Sequence, residues 1–103
     1  MITKWEKFSY VMNEDFGSGG WSEIEEIEEV AYEKAILALQ KEGYTEEESR
    51  DENIQENSQT YSTIYSEYVH KYDDYKWNEL PAWVKEAVKN HWVWKDLDKW
   101  YKD

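Results

Sequence analysis

Three short motifs that start helices constrain this chain more than any other feature. Each has serine or threonine followed three residues later by glutamate, a capping box in which the two side chains satisfy each other's backbone amides. The motifs begin at Thr3, Ser22 and Thr45. They predict helix starts one residue later in each case, and the 3.6-residue spacing of the apolar residues that follow Thr3 and Ser22 favours an all-α fold.

The apolar spacing also predicts where the helices run. They cover residues 4–14, 23–42, 46–56, from Asn57 or Ser58 to Tyr75, and from Pro81 onwards. A short strand near the N-terminus is the alternative to the first helix, and Gly43 is expected to end the second. We predict a small helical bundle of about four helices. Its predicted core consists of Ile24, Ile27, Ala31, Ala35, Ile64, Tyr68, Tyr72, Trp83 and Ala87.

Charge divides the chain into two unequal parts. Residues 14–56 hold fifteen acids against Lys34, Lys41 and Arg50, so this stretch alone carries a net charge of −12, the same as the whole chain. Residues 57–103 hold five of the seven tryptophans. At 103 residues the chain has the length of one small domain, with an acidic half at 14–56 and an aromatic half at 57–103.

Composition excludes several classes of function. The chain has no cysteine, which removes thiolate chemistry and cysteine-ligated metals, and no spacing matches a catalytic, phosphate-binding or calcium-binding motif. We expect no enzyme activity, no metal and no cofactor. A polyanion repels nucleic acid and anionic membranes and attracts basic surfaces. The N-terminus has no export signal and no apolar run is long enough to span a membrane, so a cytoplasmic protein is expected.

The acidic half supplies the candidate binding residues. On the second predicted helix, Glu25, Glu29 and Glu33 form a row with Glu26 beside it, and a rise of 1.5 Å per residue puts i and i+4 carboxylates about 6 Å apart. The acids of the following segment extend this row: Glu46, Glu47, Glu48, Asp51, Glu52 and Glu56. In size, charge, lack of cysteine and helical acid rows, the chain resembles phage-encoded DNA-mimic inhibitors of host defence, of the antirestriction and anti-CRISPR types. The resemblance implies a basic nucleic-acid-binding protein as the partner and a blocked nuclease or effector groove as the result.

A second interpretation places function in the aromatic half. On a continuous C-terminal helix, Trp92 and Trp100 lie away from the core face. Tryptophan is common at interaction hot spots, so these two residues suggest an acidic interaction or assembly module that binds through a tryptophan and tyrosine surface. A homodimer is left open under this interpretation. The acidity would then serve solubility.

Overall fold

The computed structural model describes residues 2–14 and 21–101. Within these ranges the protein is all-α, as predicted, and contains no strand. Its helices are α1 (Lys4–Glu14), α2 (Glu25–Lys41), α3 (Glu46–Ser49), α4 (Glu52–Glu56), α5 (Gln59–Val69), α6 (Ala82–Asn90), α7 (Trp92–Lys95) and α8 (Leu97–Trp100). Only α1, α2, α5 and α6 are longer than five residues, so the predicted number matches the long helices and the short ones add to it.

The first capping box forms as predicted. The Thr3 hydroxyl accepts a hydrogen bond from the Glu6 amide at 3.2 Å, and the Glu6 carboxylate accepts one from the Thr3 amide at 3.4 Å. The helix that follows buries Trp5, Phe8 and Met12 on one face. The alternative of a short strand near the N-terminus is therefore wrong.

The prediction of a second capping box at Ser22 is wrong, because α2 starts later than predicted. Ile24 occupies the N-cap position and makes no side-chain capping hydrogen bond. Residues 21–23 form a 3₁₀ turn that buries Trp21 completely, and the Trp21 indole donates a hydrogen bond to Asn13 Oδ1 at 2.9 Å. Burial of this large ring decides the path of the chain, and the helix begins only after it.

The end of α2 agrees with the prediction. Gly43 has φ = +111°, a conformation that glycine adopts without the steric cost of a Cβ atom. The Gly43 amide donates to the Gln40 carbonyl and the Tyr44 amide donates to the Leu39 carbonyl, the two bonds of a Schellman motif. The chain therefore reverses here.

The third capping box forms at Thr45 and Glu48, but the predicted helix over 46–56 is split in two. Helix α3 ends at Ser49, and α4 starts after Asp51, whose carboxylate accepts hydrogen bonds from the amides of Asn53 and Ile54. Ser58 caps α5 through the Tyr61 amide, as one of the two predicted starts requires.

Two predicted helices are longer than the observed ones. Helix α5 ends at Val69 instead of Tyr75, and a turn over residues 70–74 follows. The C-terminal segment is not continuous, because α6 starts after Pro81 and ends at Asn90. His91 then starts α7: its Nδ1 accepts a hydrogen bond from the Val93 amide at 3.2 Å.

Six of the nine predicted core residues are buried: Ile24, Ile27, Ala31, Ala35, Tyr72 and Ala87. Ile64 and Tyr68 are only half-buried, and Trp83 is 40% exposed. The prediction assumed one core along the whole of each helix. Instead, the main cluster joins α1, the first half of α2, the end of α5 and α6–α8.

The rest of α2 and α5 forms an arm outside this cluster. Glu28 contacts Tyr65, and Tyr32 contacts Tyr61, so the two helices run antiparallel. Ala35, Ile36 and Leu39 are buried but lie outside the main cluster. We call residues 32–62 the acidic arm and the main cluster with its helices the body. The molecule is elongated, with dimensions of 49 × 24 × 20 Å.

Candidate functional site

The four predicted carboxylates of α2 are all exposed. Ile24, Ile27 and Ala31 of the same helix are buried, so the row of Glu25, Glu29 and Glu33 lies on the outer side of α2. None of Glu25, Glu26 and Glu29 forms a salt bridge with another described residue. The body end of the predicted row therefore presents three carboxylates that pair with no described cation.

Arg50 interrupts the row at the arm. Its guanidinium donates to both carboxylate oxygens of Glu33, at 3.2 and 3.3 Å, and reaches Glu46 at 3.5 Å. These hydrogen bonds and charges raise the pKa of Arg50, the hydrogen bond to Glu33 contributing most. The three side chains are largely exposed, so water and salt screen the pairs. Two of the ten predicted carboxylates thus share one cation, so the three groups together keep a net charge of −1.

The six predicted acids of α3 and α4 are exposed but differ in their contacts. Glu48 and Asp51 accept backbone hydrogen bonds at helix starts, which is a structural role. Glu47, Glu52 and Glu56 form no salt bridge within the described part of the chain. Together with Glu25, Glu26 and Glu29, six of the ten predicted residues remain available to a cationic partner.

A tyrosine cluster packs between α2 and α5 beside the acids. The ring of Tyr61 lies 6.4 Å from that of Tyr32 and 5.9 Å from that of Tyr65, and the Tyr65 hydroxyl donates to Glu28 at 3.4 Å. Burial, reinforced by the neighbouring tyrosines and Glu28, raises the pKa of Tyr61 to about 12. Tyr61 therefore keeps its proton at neutral pH and adds no charge to the arm.

The alternative residues Trp92 and Trp100 contact each other. Their rings are 5.0 Å apart at 67°, and Trp92 also stacks on His91. Trp92 is 48% exposed, whereas Trp100 packs partly against the core. The break at His91 therefore turns one of the two tryptophans towards the body.

The buried His91 sits at the junction of these elements. Burial lowers its pKa, opposed by the backbone of Glu23 and by the charges of Glu23 and Glu26. Its Nε2 makes no hydrogen bond of standard geometry with any described residue. The neutral ring with its proton on Nε2 is the form that accepts the hydrogen bond from the Val93 amide.

One large concave surface was not predicted from the sequence. A groove of about 1060 Å³ lies between α1 and residues 73–78 and is lined by the aromatic rings of Trp5, Tyr10, Tyr75, Trp77 and Trp94. These two segments are far apart in sequence and are joined by a hydrogen bond, which the Trp5 indole donates to the Tyr75 carbonyl at 2.6 Å. No local pattern signals such a contact; the only hint is that both segments are rich in aromatic residues.

No group of three or more potential metal ligands occurs among residues 2–14 and 21–101. No helix of the described chain is long and apolar enough to cross a bilayer. Compared with protein-family models, curated proteins and solved structures, the chain matches none. Only the geometry of this chain therefore bears on its function.

Proposed function

We propose that this protein is an inhibitor that imitates nucleic acid and blocks the basic groove of a nucleic-acid-binding protein, such as a host defence nuclease or effector complex. The observation that carries the proposal is the exposure of all ten predicted carboxylates: eight form no salt bridge to a described residue, and six of these eight also accept no capping hydrogen bond. The proposed binding residues are Glu25, Glu26, Glu29, Glu33, Glu46, Glu47, Glu48, Asp51, Glu52 and Glu56. No catalysis and no cofactor are needed for this role.

Charge spacing suggests how much of the surface is needed. One strand of a duplex carries a phosphate about every 3.4 Å along the axis. A single i, i+4 row on α2 carries a carboxylate only about every 6 Å. One row therefore has about half the charge density of a strand, and the acids of α3 and α4 would have to act together with those of α2.

A first experiment compares two triple variants that each remove three charges. One is Glu25→Gln with Glu26→Gln and Glu29→Gln, all unpaired in the proposed surface; the control is Glu67→Gln with Glu86→Gln and Asp98→Asn, all exposed elsewhere. The tagged protein is used to capture partners from host lysate, with and without excess duplex DNA or guide RNA. A mimic releases its partner to the nucleic acid, and only the first triple weakens binding, mainly through the association rate. A partner retained in excess nucleic acid and bound equally by both triples would contradict the proposal.

Substitution of Arg50 tests the proposal in the opposite direction, because it makes the proposed binding surface more negative. The Arg50→Gln variant removes the only cation bound to Glu33 and Glu46 within the described chain and leaves both carboxylates free. If the partner recognises the negative charge of this surface, the variant associates with the same partner faster, and its association is more sensitive to salt. If the row merely holds α3 against α2, the variant binds more weakly, because a structural pair is lost.

The alternative role, an acidic assembly module, has one supporting observation: Trp92 is half-exposed and its ring meets that of Trp100 edge-on. Under that role, Trp92→Ala loses the partner or dissociates a homodimer, while the glutamine triple binds as before. Measurement of both variants with the captured partner, together with sedimentation velocity, separates the two roles.

A further inference from the structure

The contacts between the aromatic rings that line the groove define the order in which the rings follow one another along it. The Trp94 and Trp77 rings are stacked 5.1 Å apart, the Trp77 and Trp5 rings are 5.8 Å apart, and Trp5 is hydrogen-bonded to the backbone of Tyr75. The groove therefore runs from Trp94 past Trp77 and Trp5 to Tyr75. Its walls along this line are indole and phenol rings, which favour an apolar body of the ligand.

The end at Trp94 is cationic. Lys4 Nζ lies 4.4 Å from the centre of the Trp94 ring, and Lys89 Nζ lies 5.9 Å from the centre of the Trp77 ring. Both lysines line the groove. A second, smaller hollow of about 280 Å³ shares Lys4 and Trp94 with the groove and adds Lys7 and Lys95, with Asp98 as its one acid. In a chain with a net charge of −12, this concentration of lysines is local and specific.

The opposite end is anionic. Asp73 and Asp74 line the groove immediately before Tyr75. Asp73 Oδ2 faces His70 Nδ1 at 3.3 Å, whereas Asp73 Oδ1 is buried and has no hydrogen-bond partner among the described residues. Burial raises the pKa of Asp73, and the charge of Asp74 adds to this, against the influence of His70. Because Oδ1 is buried, a donor in the groove would reach Asp73 through Oδ2 and would meet the exposed Asp74 beside it.

The remaining charges do not disturb this polarity. Glu6 also lines the groove, but its carboxylate accepts hydrogen bonds from Thr3 at the start of α1. Lys76 follows Tyr75 in the sequence and also lines the groove, but it is exposed, so water and salt screen its charge. With three lysines and three acids along its walls, the groove is balanced in charge but polarised along its length.

We infer that this groove binds a small apolar zwitterion, specifically a short aromatic peptide whose free ammonium end lies at Asp73 and Asp74 and whose carboxylate end lies at Lys4 and Lys89. An extended chain spans about 3.3–3.6 Å per residue, so three residues reach about 10 Å. That length matches the two ring-to-ring steps of 5.1 and 5.8 Å that define the groove. The groove is independent of the acidic arm, so a failure to bind the peptide would leave the proposed inhibitor function unaffected.

The probe is the tripeptide Leu-Phe-Leu in four forms: both termini free, N-acetylated, C-amidated, and blocked at both ends. Binding is measured by isothermal titration calorimetry and by tryptophan fluorescence. The free peptide binds saturably, and each blocked terminus weakens binding at least about threefold, the size of one partly exposed charge pair. Equal binding of all four forms, or no saturable binding at millimolar peptide, overturns the inference.

Two variants assign the ends. Asp73→Asn abolishes the effect of N-acetylation but not that of C-amidation, and Lys4→Gln does the reverse. Asp74→Asn replaces the first variant if circular dichroism shows that Asp73→Asn is unfolded. Glu67→Gln and Lys99→Gln, both exposed and outside the groove, are the matched controls and keep the wild-type pattern. Loss of sensitivity to the wrong terminus, or equal effects of the groove and control variants, also overturns the inference.

Discussion

Phe8 is the residue on which the body depends most. Its ring is completely buried and lies 5.8–6.0 Å from four other rings: those of Trp5, Trp21, His91 and Trp94. It joins α1 to the start of α2 and to the C-terminal helices. Substitution at this position therefore tests whether the aromatic cluster holds the body together.

Two substitutions of Phe8 separate the stability contributed by its ring contacts from the stability contributed by its buried apolar area. Phe8→Leu keeps most of the apolar burial and loses four ring contacts, each worth about 0.5–1.5 kcal/mol, so at the lower end it costs about 2 kcal/mol. Phe8→Ala also opens a cavity and costs about 3–5 kcal/mol. Against a total stability of about 5–15 kcal/mol for a domain of ordinary size, the alanine variant loses a large share.

The assay is urea unfolding followed by far-UV circular dichroism and tryptophan fluorescence. At about 4–8 °C per kcal/mol, Phe8→Leu also lowers Tm by about 8–16 °C. Tyr10→Leu is the control on the same helix, because Tyr10 is 57% exposed and its ring contacts that of Tyr101 alone among the described residues. If Phe8→Leu and Tyr10→Leu cost the same, the ring contacts of Phe8 contribute nothing and the reasoning is refuted.

Three further predictions concern single sites. Because burial lowers the pKa of His91, the unfolded chain takes up its proton first, so stability falls as pH drops below about 6.5 and levels off below the folded pKa; His91→Asn keeps a capping side chain and loses this part of the pH dependence in urea titrations from pH 8 to 5. Thr45→Ala removes the cap of α3 and costs about 1 kcal/mol, with faster amide exchange confined to the arm. Gly43→Ala, at φ = +111°, costs about 1 kcal/mol although open space surrounds the new methyl group, and the thermal midpoint measures it.

Local sequence signals were sufficient to predict helix starts and ends where residues close in sequence decide the backbone conformation. The capping boxes at Thr3 and Thr45 and the glycine end at Gly43 all form, since each depends on residues within four positions. The box at Ser22 fails because burial of the Trp21 ring, a long-range effect, sets the start of α2.

Helical periodicity was less reliable for burial. Trp83 shares a predicted face with Ala87 on α6, yet Trp83 is exposed, because tertiary packing places Ala87 in the main cluster and leaves Trp83 at its edge against Tyr72. The groove was beyond sequence reasoning for a related reason. Its two walls are joined by a hydrogen bond between residues 70 positions apart, and neither wall carries a local motif.

The placement of the cations bears on why the acids are grouped. Lys34 lies on the flank of α2 that faces Tyr68, with its Nζ 5.7 Å from that ring, and not in the row of Glu25, Glu29 and Glu33. Charges needed only for solubility can be scattered among opposite charges, which avoids the cost of a few tenths of a kcal/mol for each like-charged i, i+4 pair. The row of this protein keeps that repulsion at Glu25 and Glu29. A partner that brings lysines and arginines to these carboxylates removes the repulsion on binding, so the free energy lost in the isolated helix becomes part of the affinity.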